Sequence, residues 1–314
     1  MPVSLEYGHA RAGWQIGDKG LAVFVPVPFL GGASEELLYS DTVECLSQSE
    51  DWLHVENEAF IIIATKVLVA NNMEAVTLEL YQRLLTAVGS QQILRIWNYV
   101  PRINEWESGD ENYRSFCSGR AKAFATQAAP DNTNFPAASA VGCNGDEVIT
   151  ILIAAKSGKA HHFENPLQCP AYEYPPQYGA NAPAFARATS WEKHGSALYI
   201  SGTSSVSGHE TAFPLDIDGQ LRVTAQNLYS ILNEARMRGV SNDLAKPGWL
   251  KAYVRKPHDA SKVEAFLAEE NWLVDDRFSI VQADICRREL LVEIELSWLD
   301  LKANTSSIKS RFST

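Results

Sequence analysis

Two glutamates, a cysteine and an arginine stand out as groups able to move protons or hold anions. In LLVEIELSW (Leu290–Trp298), strand alternation puts Leu291, Glu293, Glu295 and Ser297 on one face and Val292, Ile294, Leu296 and Trp298 on the other. Two carboxylates on one face are either a solvated surface or a pair that raise each other's pKa, the more so if buried. Such a pair keeps one member neutral near pH 7 and able to protonate carbon. Cys286 precedes Glu293, with a turn at Arg287-Arg288-Glu289 between them, so a hairpin is predicted to bring thiol and carboxyl together. The competing expectation is a thiol packed in the core. Arg120 shares a helical face with Tyr113, Phe116, Cys117 and Phe124, a costly position unless an anion pairs with it, either an internal carboxylate or a ligand. Tyr172, Tyr174 and Tyr178 crowd the Pro-rich stretch Asn165–Pro183. Gly202 and Thr203 open SGTSSVSGHE (Ser201–Glu210), whose hydroxyls and amides can cradle a polar ligand or form an ordinary turn.

Strands and helices must alternate to position these groups. Strands are predicted over Leu21–Val27, Ala59–Ala70, Val148–Ala155, Leu198–Ser201, Trp249–Val254 and Leu290–Trp298, all rich in Val, Ile and aromatics. One helix carries Val76, Leu80, Leu84 and Val88 and stops at Gly89. A second follows Asp110 as its N-cap, and a third carries Leu228, Ile231, Leu232 and Ala235 up to Gly239. A fourth opens with Ser261 and Glu264 in capping-box spacing. VTLELYQRLLTAVG (Val76–Gly89) and VTAQNLYSILNEARMRG (Val223–Gly239) each lead into a strand ending Tyr-Val, a weak internal repeat that suggests two related halves. Asn165–Pro183 then reads as the connector.

Composition removes several classes. Apolar residues make up 46% and charged residues 21% of the 314, as in a folded soluble protein. A formal charge of −11 argues against sequence-independent nucleic-acid binding. No apolar run reaches the ~18 residues of a membrane span, and MPVSLEYGHARAGW lacks a signal pattern, so a cytoplasmic location is expected. Five widely spaced cysteines without CxxC support neither a zinc ribbon nor a redox pair. His161-His162, near Glu164 and Cys169, lack metal-ligand spacing, so no metal is expected. Glycine patterns of a phosphate loop or a nucleophile elbow are missing from the Ser201–Glu210 segment.

The run from DIDGQLRVTAQNLYS to SKVEAFL, followed by LLVEIE, resembles the RidA-like fold, a small α/β unit that assembles as trimers. A larger set is more specific: LRIWNYVPRINE, YRSFCSGRAKAF, FPAASAVG, ENPLQCPAYEYPPQYG, FARA, ISGTSSVSGHET and ICRRELLVEIE. Taken in order over about Leu21–Trp298, these resemble the chorismatase family. The resemblance implies an α/β (α+β) fold of two RidA-like, chorismate-mutase-like halves with mixed sheets packed by helices, assembled as a homotrimer. Residues 1–160 would be a degenerate half, 161–301 the catalytic half and 302–314 a polar tail. It implies cleavage of the enolpyruvyl ether of chorismate without metal or organic cofactor. Tyr113 and Arg120 match the family's carboxylate-binding tyrosine and arginine. Arg187 in FARA is the candidate for the second carboxylate, and Tyr172, Tyr174 and Tyr178 for the pocket wall. Glu293 aligns with the catalytic glutamate and is chosen over Glu295. Cys286 stands where the 3-hydroxybenzoate-forming branch has cysteine and the dihydrodiol-forming branch has a small inert residue. The expected products are therefore 3-hydroxybenzoate and pyruvate, with 4-hydroxybenzoate a co-product in a related subgroup. The alternatives are a hydrolase giving the trans-dihydrodiol, a RidA-type imine deaminase, and a non-catalytic trimer binding a small carboxylate. The carboxylate-binding arginine of ordinary RidA proteins falls on Phe278 here, beside Arg277, which weakens the deaminase alternative.

Overall fold

The computed structural model describes residues 1–70, 72–127, 134–193, 195–240 and 247–301; the expected polar tail lies outside them. The chain opens with β1 (Val3–Tyr7), β2 (Gly13–Gly17), β3 (Gly20–Val25), β4 (Phe29–Gly32) and β5 (Glu35–Tyr39). Only the third of these carried a readable strand signal, and it ends at Val25 rather than Val27. A first half follows: β6 (Glu44–Gln48), β7 (Trp52–Glu56), β8 (Phe60–Leu68), α1 (Met73–Val88), β9 (Gln92–Pro101), a short ladder of β10 (Trp106–Glu107) and β11 (Asp110–Glu111), α2 (Asn112–Gln127), β12 (Ala137–Cys143) and β13 (Glu147–Ala155). The second half comprises β14 (Lys159–Phe163), β15 (Ala188–Glu192), β16 (Gly195–Ser204), a short ladder of β17 (Val206–Ser207) and β18 (Glu210–Thr211), α3 (Ile217–Met237), β19 (Trp249–Val254), α4 (Ala260–Glu269), β20 (Phe278–Gln282) and β21 (Val292–Leu301).

The two main sheets repeat one topology. Their strand orders are β6-β7-β8-β13-β9-β12 and β14-β15-β16-β21-β19-β20, with β4 added at the far edge of the second. In each, one pair is parallel, β9 with β12 and β19 with β20, and a helix joins its members. Helices α1 and α3, which carry the sequence repeat, occupy equivalent places. The sheets face each other across a core to which β1, β3 and β5 also contribute, including Leu5, Val23, Trp97, Ile151 and Tyr199. Helices cover the outer faces: Leu80, Leu84 and Phe116 pack on the first sheet, and Leu228, Ile231 and Leu267 on the second. Each sheet is thus buried on both sides, which is why β13 reads as a near-continuous apolar run and why β9 is buried from Leu94 to Pro101, Arg95 and Asn98 included.

Helix ends differ in part from expectation. Gly89 stops α1 at φ 61°, its amide donating to the Leu85 carbonyl. Asp110 does not cap α2, because it belongs to β11; the amides of Asn112 and Tyr113 donate to the Glu105 and Ile103 carbonyls instead. The Ser261/Glu264 capping box does not form. Helix α4 begins at Ala260, fed by a 3-10 turn over Pro257–Asp259, which places Ser261 inside the first turn. No helix among the described residues is long and apolar enough to cross a membrane.

Candidate active site

A cavity of about 410 Å³ opens where the two halves meet. The first half lines it with Tyr113, Phe116, Cys117 and Arg120 of α2 and with Ala138–Ala140 of β12. From the second half come Gly202 and Ser204 of β16, Glu293 of β21, and the turn carrying Cys286 and Arg287. The connector adds Gln168, Tyr174 and Tyr178, with Phe185 and Arg187 just beyond it. The connector is therefore a wall of the cavity as well as a link between sheets.

Glu293 is 4% exposed and faces the cavity. The β16–β21 register shifts between Ile200 and Thr203, a bulge that bends the strand beside the carboxyl. A Cβ at Gly202 would stand 1.9 Å from the Glu293 Oε1, so this position needs glycine to admit the carboxyl. Ser204 Oγ donates to Oε2 at 3.3 Å. Burial first, then the negative charge of Glu295, pushes the Glu293 pKa up to about 8. At neutral pH the group is mainly a protonated acid.

Glu295 lies on the same face and is 5% exposed, yet its surroundings are opposite in kind. Oε1 accepts from Trp97 Nε1 at 2.7 Å and Lys251 Nζ at 2.8 Å. Oε2 accepts from Arg95 Nη2 and Ser139 Oγ, both at 2.5 Å, and from Tyr253 at 3.2 Å. Lys251 also pairs with Glu36 at 2.7 Å, and Tyr7 donates to Glu36. Burial opposes the charge on Glu295, but Lys251 and Arg95 outweigh it and bring the pKa down to about 2. The pair thus does not raise both members; one is neutral and one is fixed as an anion.

Five arginines line the cavity, Arg114, Arg120, Arg187, Arg287 and Arg288, and three of them bear on its chemistry. Arg120, 2% exposed, donates from Nη2 to the Ala184 carbonyl at 2.7 Å and has Tyr81 and Phe124 rings nearby. Its Nε has no hydrogen-bond partner, and no Asp or Glu among the described residues forms an ion pair with it. The internal-carboxylate alternative is thereby excluded among those residues. Arg187 donates from Nη2 to the Tyr174 hydroxyl at 2.8 Å and the Cys169 carbonyl at 3.1 Å. Its Nε stands 4.0 Å from Glu164, whose pKa burial lifts to about 7, so this carboxylate is a weak counter-ion. Arg287 was missed as a wall residue. It sits 4.1 Å over the Tyr178 ring and donates to Thr211 and to the His209 carbonyl. Two consecutive arginines in a chain of charge −11 were the available signal.

Cys286 borders the cavity too, but not through a hairpin. Strand β19 lies between β20 and β21, so residues 283–291 cross over it. Burial, then the Glu293 carboxyl, lifts the Cys286 pKa to about 12, leaving a neutral thiol. Tyr113, raised mainly by burial, also feels Cys117, Cys286 and Glu293. Tyr172 and Thr203 are not among the lining residues. Tyr172 packs on Phe135 with ring centres 5.5 Å apart, and Thr203 Oγ1 turns back to the Ser201 carbonyl at 2.9 Å. His161 and His162 alternate along β14; His162 meets Thr189 at 2.8 Å, and burial lowers its pKa to about 4. No metal-ligating cluster of three occurs among the described residues. A neutral acid, a neutral thiol and guanidinium groups around one cavity suit protonation of a small anionic substrate.

A family model described as "Chorismatase FkbO/Hyg5-like, N-terminal" matches residues 36–154. The chain is 38% identical over 222 residues to a 3-hydroxybenzoate synthase of Streptomyces hygroscopicus, covering 68% of this chain and 65% of that protein. It is 36% identical over 220 residues to a chorismatase of the same organism, covering 68% and 63%. The matched region thus spans less than two thirds of these curated relatives. A chorismatase crystal structure superposes with a TM-score of 0.82 at 28% identity, covering 94% of this chain and 92% of that one.

Proposed function

The chain belongs with the chorismatases by sequence and by fold, and on that premise we propose that it cleaves chorismate to 3-hydroxybenzoate and pyruvate, as a cytoplasmic enzyme needing no cofactor. The observation that carries this is Glu293, a buried carboxyl held protonated at a cavity bordered by Arg120 and Arg187. Chorismate carries two carboxylates and an enolpyruvyl ether. Arg120 with Tyr113 holds one carboxylate and Arg187 with Tyr174 the other, the charge-assisted hydrogen bonds offsetting desolvation. Glu293 gives its proton to the enolpyruvyl methylene carbon, turning the ether into an oxocarbenium ion. The neighbouring ring hydroxyl gives its proton to the Glu293 carboxylate and displaces pyruvate from the ring, forming an arene-oxide-like intermediate whose oxygen takes that proton back as it opens. Opening of that intermediate with loss of a ring proton, which returns to Glu293, restores aromaticity. Atoms balance, since chorismate equals 3-hydroxybenzoate plus pyruvate with no water consumed.

Water attacking the oxocarbenium carbon instead leaves both ring oxygens and gives the dihydrodiol. Cys286 disfavours that course by occupying the place at the ring edge that water would take. We further propose that residues 1–160 form a degenerate RidA-like half supplying Tyr113 and Arg120, and that 161–301 form the half supplying the acid and thiol. The assembly is proposed to be a homotrimer; only monomer in a solution mass measurement at micromolar concentration contradicts it. The activity is tested by incubating the protein with chorismate and separating the products. Stoichiometric pyruvate and 3-hydroxybenzoate support the assignment. Pyruvate with dihydrodiol moves the protein to the hydrolytic branch, and no pyruvate removes chorismate cleavage altogether.

A further inference from the structure

Arg255 stands at the end of β19 and does not border the cavity, yet its side chain organises the loop that carries Cys286. Its Nε donates to the Leu290 carbonyl at 2.7 Å. Nη2 lies 3.0 Å from the Ile285 carbonyl and 2.9 Å from that of Arg287, the residues on either side of Cys286. Nη2 is also 3.0 Å from Asn104 Oδ1, and Nη1 pairs with the Asp284 carboxylate. One guanidinium therefore gathers three loop carbonyls, a loop side chain and a side chain of the other half. Its side chain is 15% exposed. The loop is seated from the opposite side as well: the Gly142 amide of β12 donates to the Asp284 carbonyl at 2.7 Å. A Cβ at Gly142 would come within 2.9 Å of the Asp284 Cβ, so this approach needs glycine.

We propose that Arg255 is a positioning residue that holds Cys286 at the ring edge of the bound substrate and thereby sets the choice between ring-hydroxyl and water attack. The proposal rests on the chorismate reading above. The planar fork is what the site uses: an ammonium is a point donor on a flexible stem and cannot serve carbonyls 285, 287 and 290 together. Without the fork those partly buried acceptors lose partners, and the loop relaxes while Glu293, held on β21, stays in place.

The test is Arg255→Lys measured beside wild type, Cys286→Ala and the double variant, for pyruvate release, product ratio and alkylation of Cys286 followed by mass spectrometry. Arg255→Lys is expected to release pyruvate within about fivefold of the wild-type rate while its product moves from 3-hydroxybenzoate toward the dihydrodiol. The double variant is expected to shift no further than Cys286→Ala, because both act through one thiol. Alkylation of Cys286 is expected to speed up by roughly tenfold, as loss of one or two net hydrogen bonds from the closed loop allows. An unchanged product ratio with a merely lower melting temperature overturns the proposal and leaves Arg255 as a stability residue. Should Arg255→Lys not fold, Asn104→Ala removes one partner of the same guanidinium and is expected to shift the ratio in the same direction. If wild type releases no pyruvate, the chorismate reading fails by itself. Alkylation then decides whether Arg255 positions the thiol, and an unaltered rate in Arg255→Lys overturns that claim too.

Discussion

Glu293 and Glu295 are the same residue type on the same face of one strand, almost equally buried, and they hold opposite protonation states. The difference lies in what reaches each carboxylate. Glu295 has five donors, two of them cationic, drawn from β9, β12 and β19. Glu293 has Ser204 and faces the cavity. Burial alone makes a neutral acid; burial with enough donors makes a permanent anion, and that anion then helps keep its neighbour neutral. The donor-rich carboxylate thus tunes the one that faces the cavity.

The largest effect in breaking this contrast is expected from Glu295→Gln. It removes the anion from between Lys251 and Arg95 and leaves Arg95 without its ionic partner, costing about 3–5 kcal/mol. Chemical denaturation checks it, and a loss below about 1 kcal/mol would mean the network is not structural. Glu293→Gln is expected to do the reverse. Turnover falls at least ~10²-fold because the transferable proton is gone, while substrate binding is largely kept. If this variant releases pyruvate near the wild-type rate, the acid is not Glu293.

The same substitution sharpens the contrast through pH. The folded pKa of Glu293, about 8, exceeds its ordinary 4.5, so its contribution to stability is present below 4.5 and lost as pH rises through 8. Glu293→Gln is therefore expected to gain stability over wild type at pH 9, and the two should converge near pH 4; parallel melting curves across that range would contradict the assignment. Glu295, with its pKa near 2, contributes stability that persists down to acid and is lost only as pH falls below its ordinary 4.5 toward 2. The smallest effect in rate, though not in outcome, is expected from Cys286→Ala. Chorismate is still consumed, but product moves toward the dihydrodiol as water enters the vacated space. Chromatography of both reactions reads this, and an unchanged ratio would make Cys286 a packing residue.

Periodicity carried much of this structure. Helices α1 and α3, the β21 faces and the α2 face bearing Tyr113 and Arg120 follow from repeats of 3.6 and 2 along the chain. The opening strands were mostly hidden, because their apolar residues are few and three of the five strands are partly exposed. The crossover that replaces the expected hairpin was invisible because it depends on β19 entering between two later strands. Glu295's role was equally out of reach: Arg95 and Lys251 lie 200 and 44 residues away in sequence. Gly202 reads either as part of a ligand cradle or as a turn residue; it lines the cavity, and what requires glycine there is a carboxyl on the adjacent strand.

The central claim is that a proton held on Glu293 starts the reaction, and the pH dependence of pyruvate release from chorismate by the wild-type protein tests it most directly. The kcat/KM is expected to be level below about pH 8 and to fall about tenfold per pH unit above it, as the acid ionises in the free enzyme. A profile that stays level or rises through pH 9.5, roughly one and a half units past that point, would contradict it.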